Sequence, residues 1–393
     1  MPTLHNDNPN TREKHYDLSL LFITVFLCVF GLVMIYSASY YTAELKGFGG
    51  DYYFKKQLRN DLIGLGVLLV AAVVPYRLYK IGVYPLYVIS IILMIMTNYL
   101  GFGINVNGRT RWMKVTRSIS FQPSEVVKLA VILGSAFYIA KYARKLDKMW
   151  RCLLLVAFAF IPGYFVGTQD LSSFIIIIAI PLILLAIVGR NKPFLIILGG
   201  FALLAVVAAV ILKTMDFASL QKLGDWIVNH TPLKPYQMKR IYVWNDPYYD
   251  AQADGYQVLQ GLYAVGSGGL FGKGLGNSTQ KLGFVPEARN DMIFSILAEE
   301  LGLFGVIALM LLYLFMLYRM LTIALQSEEL FGSLIAMGVF LQIALQVILN
   351  ICVVTNVLPN TGVSLPFISY GGTSSIFLLG EVGMVLSVSR GER

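Results

Sequence analysis

Residues 18–36 read LSLLFITVFLCVFGLVMIY. Nineteen residues without a charge are about the length that crosses the hydrocarbon core of a bilayer as a helix. Arg12 and Lys14 precede the run and Ser37, Ala38 and Ser39 follow it, an order that loosely imitates a secretory signal. A signal core is about 7–15 residues, so this longer run is expected to stay as a first transmembrane helix. Nine further apolar runs follow at approximately 61–75, 81–100, 123–140, 153–167, 172–189, 193–213, 291–318, 329–352 and 372–389. The sequence therefore predicts an all-α polytopic membrane protein of about ten transmembrane helices, a single integral-membrane domain over 1–393.

Composition agrees. Of 393 residues, 57% are hydrophobic and 13% charged, and mean hydropathy is +0.68, against about 25% charged in a soluble domain. That excludes a secreted or cytosolic enzyme, a disordered chain and a collagen-like fibre. The net charge of +9 reflects cytoplasmic loops and anionic lipid headgroups before nucleic acid, and no nucleic-acid partner is expected. Cys28, Cys152 and Cys352 lie in or at the ends of apolar runs, far apart, and read as small hydrophobes rather than as a disulfide framework or zinc site.

Orientation follows from the short loops. Lys141, Arg144, Lys145, Lys148 and Arg151 follow the fourth run, Arg190 and Lys192 the sixth, and Arg390 and Arg393 end the chain. With a cytoplasmic N-terminus all of these fall inside, as positive-inside bias requires. Both termini are then cytoplasmic, with a tail over 1–17 and a large extracytoplasmic loop over 214–290 between helices seven and eight. No internal repeat of the kind that marks many secondary transporters is visible.

The 101–122 loop, placed outside, carries Arg109, Arg111, Lys114 and Arg117 against that bias. Four cations there make either tolerated surface charge or an anion site, with phosphate the obvious anion. The loop leads into Gln122-Pro123-Ser124-Glu125 and Lys128 at the start of the fourth helix. Proline is suited to a first turn. Glu125 and Lys128, three residues apart, share a helix face and can pair. In a membrane such a pair either orients helices or faces a hydrated cavity.

Tyr256-Gln257 opens a glycine-rich run at 266, 268, 269, 272, 274 and 276 that is neither a Walker loop nor a dinucleotide fingerprint. It reads as a tight or interfacial turn, or as backbone lying close to a ligand. Lys281, Pro286, Glu287, Arg289 and Asp291 come next, with Asp291 expected to open the eighth helix as an N-cap, a job Asn290 could also do. The alternative role for Asp291 is a carboxylate at the membrane surface that takes a proton from an attacking hydroxyl or holds a divalent cation, Mg or Mn, against a phosphate. Glu299 and Glu300 lie roughly 12–14 Å deeper on that helix, and with Glu381 and Asp170 form an internal polar set. Pro359, Gly362, Pro366, Gly371 and Gly372 break the last apolar hairpin, and irregular backbone at membrane depth must line protein or water.

Four of these stretches together resemble the SEDS family (shape, elongation, division and sporulation), whose members include FtsW and RodA. They are Arg111-Trp112 with Gln122-Pro123-Ser124-Glu125 and Lys128; Tyr256-Gln257 through the glycine run; Pro286-Glu287 through Asp291 to Glu299-Glu300-Leu301-Gly302; and Leu365-Pro366-Phe367 through Ser369-Tyr370-Gly371-Gly372. The Ser-Ala-Ser exit of the first helix and the Gly380–Leu386 stretch are more similar to FtsW and its sporulation relatives than to RodA. The resemblance implies a peptidoglycan glycosyltransferase that polymerises lipid II into glycan strands at the outer membrane face, in cell division, beside a class B penicillin-binding protein and other divisome or elongasome membrane proteins. It implies Asp291 as the catalytic general base, and Arg109, Arg111, Trp112, Gln122, Ser124, Glu125, Lys128, Lys281, Glu287 and Ser369 at the substrate. Two stretches depart from the family pattern: Val115-Thr116-Arg117 stands where a glycine is usual, and Gln169-Asp170-Leu171-Ser172 replaces Pro-Asp-Leu-Gly. The rival classes are a lipid II flippase and a non-catalytic scaffold.

Overall fold

The computed structural model describes residues 16–106, 109–114, 120–189, 191–230 and 235–391. Arg12, Lys14, Arg117, Arg190 and Arg393, named above, lie outside the described residues, as does the side chain of Arg109. Each apolar run forms a helix: α1 Leu18–Leu45, α2 Tyr52–Val73, α3 Tyr79–Tyr99, α4 Pro123–Tyr142, α5 Met149–Gly167, α6 Leu171–Val188, α7 Lys192–Thr214, α11 Ile293–Gln326, α12 Leu330–Val354 and α13 Ser374–Arg390. Between α7 and α11 the long loop holds three more, α8 Phe217–His230, α9 Pro235–Asn245 and α10 Asp254–Ser267. Eight of the described helices are long and apolar enough to cross a membrane. α2 and α13, which carry Asp61 and Glu381, are not among the eight.

Local chemistry sets the helix ends. Asp17 caps α1 by accepting from Leu20 N–H at 2.9 Å, and Asn191 caps α7 through Phe194 N–H at 2.9 Å, each satisfying a donor the first turn leaves open. α2 starts nine residues before the apolar run at 61, because Lys55, Lys56 and Arg59 lower its hydropathy without interrupting its helix. The 101–122 loop is not irregular: β1 Gly103–Val106, β2 Arg109–Lys114 and β3 Ser120–Phe121 form a small antiparallel sheet in that order, with Ile104 opposite Trp112 and Met113 opposite Phe121. The fold is all-α as expected, with this one small sheet added in the loop before α4.

The core runs through α4, α12 and α13, while α7 is buried only at Phe194 and leaves its length for lipid. α2 and α13 approach backbone to backbone. A Cβ at Gly64 would lie 2.5 Å from Leu379 Cδ1, and one at Gly383 2.4 Å from Leu68 O. α11 is broken at Gly302 (φ 65°, ψ −167°), and the break explains the glycine-rich run. The carbonyls of Glu299 and Glu300, released from the helix, accept from Lys273 and Gly274 N–H at 2.9 Å each; in return Leu303 and Phe304 N–H donate to Gly269 and Leu270 carbonyls at 3.0 and 3.1 Å. The glycines thus bring one stretch of backbone against another, with a Cβ at Gly272 only 2.2 Å from Glu300 O. The ligand-approach reading of this run is set aside.

Candidate active site

Asp291 does not cap α11. The helix begins at Ile293 with Met292 before it, and Asp291 sits in a turn whose residue Glu287 has φ 55°. Asn290 and Met292 N–H both return to Glu287 O, at 2.9 and 3.3 Å. Asn350 of α12 clamps the turn from behind, its amide donating to Asp291 O at 2.8 Å and to Val363 O at 2.7 Å. One side-chain oxygen of Asp291, Oδ1, is shut off from solvent and accepts no hydrogen bond. Burial first, and the nearby Glu287 carboxylate second, push its pKa up to about 7 against the pull of Arg111 and Arg240. A carboxyl there exchanges its proton near neutral pH, as a general base requires.

Arg111 reaches this carboxylate from the sheet. Gly362 (φ +78°) lies between them, and a Cβ there would stand 3.2 Å from Arg111 Nη1 and 3.4 Å from Asp291 Oδ2. The guanidinium is held by Gln169 O at 3.1 Å and Thr361 O at 3.4 Å, with Asp170 Oδ1 3.7 Å away. Asp170 also caps α6, accepting from Ser172 and Ser173 N–H at 3.1 and 3.3 Å. The stretch departs from the family pattern at Gln169 and Ser172, but Asp170 keeps the pattern's acid and stands beside Arg111. Trp112, on the opposite face of β2, lies against Gly372, its ring carbons 3.7 Å from where a Cβ would stand.

Asp291, Glu287 and Arg111 therefore converge, with Trp112 on the other face of β2 against Gly372. Glu125 and Lys128 do not reach them: the two pair at 2.8 Å, almost fully buried. Glu381 lies within electrostatic reach of both and accepts from Gln342 Nε2 at 2.7 Å. Gln342 stands two turns from Asn350 on α12, about 12 Å along the axis, so this group is a deeper layer. Ser124 is buried with an unpartnered hydroxyl, and Gln122 precedes α4 without capping it.

Two expected substrate contacts are occupied otherwise. Lys281 Nζ donates to Glu300 Oε1 at 2.8 Å and Ser37 Oγ at 2.9 Å, tying the re-entrant stretch to α1. Ser369 Oγ accepts from Leu365 N–H at 2.7 Å and shapes its own turn. Glu299 is likewise saturated, by Lys273 at 2.6 Å, Thr279 Oγ1 at 2.9 Å and Gln280 N–H at 3.2 Å among others. Sequence reasoning missed Asn350 and Arg240, and read Gly362 only as one of the breaks in the last apolar hairpin. The legible signal for the first was Gln342, Gln346 and Asn350 recurring every four residues, one polar stripe on an otherwise apolar helix.

For a divalent cation, no group of three His, Cys, Asp or Glu side chains converges among the described residues. Asp291, with its unpartnered oxygen, and the adjacent Glu287 offer two carboxylates, a set that suits Mg²⁺ only when phosphate oxygens complete the shell.

The FtsW/RodA/SpoVE cell cycle protein family matches residues 18–393. The chain is 33% identical to a protein of Trichlorobacter lovleyi named "Probable peptidoglycan glycosyltransferase FtsW", over 97% of this chain and 94% of that one. It is 35% identical to stage V sporulation protein E of Bacillus subtilis, over 98% and 99%. Among solved structures, a chain of a peptidoglycan synthase complex superposes with a TM-score of 0.75 at 26% identity, covering 95% of this chain and 98% of that one. The rod shape determining protein RodA of Thermus thermophilus shares the fold, with a TM-score of 0.65 at 24% identity over 95% and 97%.

Proposed function

The chain belongs to the FtsW/RodA/SpoVE family of cell cycle proteins, and from that premise we propose that it is a peptidoglycan glycosyltransferase which polymerises lipid II at the outer face of the bacterial cytoplasmic membrane. The observation that carries this reading is the Asp291 carboxylate, with one oxygen unpartnered and Arg111 facing it across Gly362. Asp291 removes the proton from the acceptor sugar hydroxyl as that oxygen attacks the anomeric carbon of the lipid-linked chain. The new glycosidic bond forms, the anomeric carbon–phosphate oxygen bond breaks, and a polyprenyl pyrophosphate leaves with the electron pair. Negative charge grows on the leaving oxygen, so Arg111, with Arg109 and Arg240, interacts with it most strongly in the transition state. Trp112 packs on the sugar or lipid beside it. A cation held by Asp291 and Glu287 would supply further positive charge to the phosphates.

Glu125 and Lys128 with Glu381 form a buried polar layer deeper than Asp291, and Gln122 and Ser124 stand at the start of α4. The outside placement of the site, with 214–290 as the extracytoplasmic loop and both termini inside, rests on the cations at 141–151. The partner is a class B penicillin-binding protein, supported by the likeness to a chain of a peptidoglycan synthase complex, and the place of action is the division septum. A flippase needs two alternating openings and polar groups spread through the membrane depth; the carboxylate–guanidinium pair at one end favours chemistry instead.

Purified protein with its penicillin-binding partner, incubated with labelled lipid II and resolved by gel, gives glycan ladders. Asp291→Asn abolishes them while the protein stays folded. Ladders of wild-type intensity from Asp291→Asn would refute the assignment.

A further inference from the structure

α2 carries a buried polar stripe that glycosyl transfer, as argued so far, does not use. Tyr53, Gln57 and Asp61 recur every four residues on one face and are all buried. Asp61 faces neutral groups: Gln57 Nε2 donates to its Oδ1 at 2.9 Å, and the Ser375 hydroxyl lies nearby. The same Gln57 nitrogen lies 2.6 Å from Ser375 Oγ. The Gln57 oxygen, at the other end of the amide, accepts from Gly371 N–H at 3.4 Å. Facing a carboxylate with its nitrogen and a backbone N–H with its oxygen, the amide has one orientation that satisfies both ends.

What this chain of bonds holds is the back of the site. The Tyr370–Gly372 turn carries Gly372 under Trp112, and Tyr370 N–H donates to Arg289 O at 2.8 Å, two residues before Asp291. One turn above Gln57, the Tyr53 ring meets Tyr370 edge-on at 5.4 Å and carries the Arg289 guanidinium 4.1 Å over its centroid. The close packing of α2 on α13 at Gly64 and Gly383 sets the separation of the two helices that Gln57 and Ser375 bridge. Burying an acid is costly unless it is hydrogen-bonded, and here the partner is one amide whose direction the acid fixes.

We infer that Gln57, oriented by Asp61 and Ser375, is a positioning residue for the transfer reaction: it fixes the Tyr370–Gly372 turn and, through it, Trp112 and the Arg289–Asp291 segment. The inference rests on the glycosyltransferase reading. Its test is a polarity exchange in the full-length protein, reconstituted with its partner and assayed for initial rates of lipid II polymerisation, with thermal unfolding midpoints measured in parallel. Gln57→Glu sets two carboxylates against each other, and kcat is expected to fall about tenfold or more with KM changed less than about threefold. Adding Asp61→Asn reverses donor and acceptor: the introduced carboxylate accepts from Gly371 N–H and from the introduced amide. The double variant is expected to recover to within about threefold of wild type, a rescue that loss of fold alone does not give.

If Gln57→Glu does not fold, Ser375→Ala, which removes one bond of the network, takes its place with an expected fall in kcat of about threefold. A double variant as slow as Gln57→Glu at equal folded fraction, or single variants as fast as wild type, would overturn the inference. Wild-type protein that makes no polymer brings down the glycosyltransferase reading instead, so the two failures are distinct.

Discussion

Because burial and Glu287 lift the Asp291 carboxyl to about 7 from an ordinary 3.8, the rate of polymerisation should titrate in the neutral range. Only the ionised form accepts the hydroxyl proton, and kcat/KM reports the free enzyme. With a midpoint near 7, about 9% of the sites are ionised at pH 6 and about 91% at pH 8, a rise of roughly tenfold. An acid at its ordinary value would change by less than about 1% over that span. The causes of the shift supply internal controls. Glu287→Gln removes a like charge that raises the midpoint and so moves it down. Arg111→Met removes an opposite charge and moves it up. The assay is the initial rate of labelled lipid II consumption at sub-saturating substrate from pH 5.5 to 8.5, normalised to folded protein. A profile flat between pH 6 and 8, or a Glu287→Gln midpoint that moves up, would refute the argument that Asp291 is the titrating base.

Three further outcomes follow from the geometry. Gly302→Ala places a Cβ at φ 65°, ψ −167°, 2.2 Å from Gly272 N, a conformation almost confined to glycine; strain alone costs about 1–3 kcal/mol, read as a lower unfolding midpoint in detergent. Lys281→Ala strands the buried Glu300 carboxylate and should destabilise by about 3–5 kcal/mol, whereas Lys281→Met with Glu300→Gln recovers much of it; equal losses in both would show that the ion pair is not what matters. Gly362→Ala places a methyl 3.2 Å from Arg111 Nη1 and 3.4 Å from Asp291 Oδ2 at φ +78°, so polymerisation should drop as the two groups and the turn shift to admit it, while lipid II binding, followed by quenching of a labelled substrate, drops far less.

The helices were legible because a bilayer leaves the backbone few choices: a polar group in hydrocarbon must be satisfied inside its own segment, so each long apolar run is a helix. Legibility failed where satisfaction comes from a distant segment. Glycines 268–276 carry no sign that they splice the break at Gly302, because their partners are the carbonyls of Glu299 and Glu300. Asp291 reads as a cap from its neighbours, yet α11 starts two residues later and Asn350, fifty-nine positions on, holds it. Arg111 was visible as a misplaced cation, but its setting depends on Thr361, two hundred and fifty positions away. Lys281 reads as a substrate contact because nothing local reveals that Ser37 and Glu300 take its ammonium.

The distinction that matters among the charged groups is therefore how completely the protein answers them. Glu299 and Glu300 are buried and met by lysines, hydroxyls and backbone N–H groups; removing water from them is offset within the fold, and no site remains for a substrate. Asp291 is treated differently. Its backbone carbonyl is clamped by Asn350, while its side chain keeps an unpartnered oxygen and a cation held a methyl's width away by contacts to other groups. Arg111 is prevented from closing on Asp291 by its bonds to Gln169 and Thr361 and by the nearby Asp170. A tight pair would lower the Asp291 pKa and hide both charges; a separated pair keeps the acid near neutrality and leaves the cation facing the same gap. Such a gap suits a reaction in which a proton leaves one oxygen while negative charge grows on another. On this reasoning the contacts that hold Arg111 back are as necessary to the chemistry as Arg111 itself.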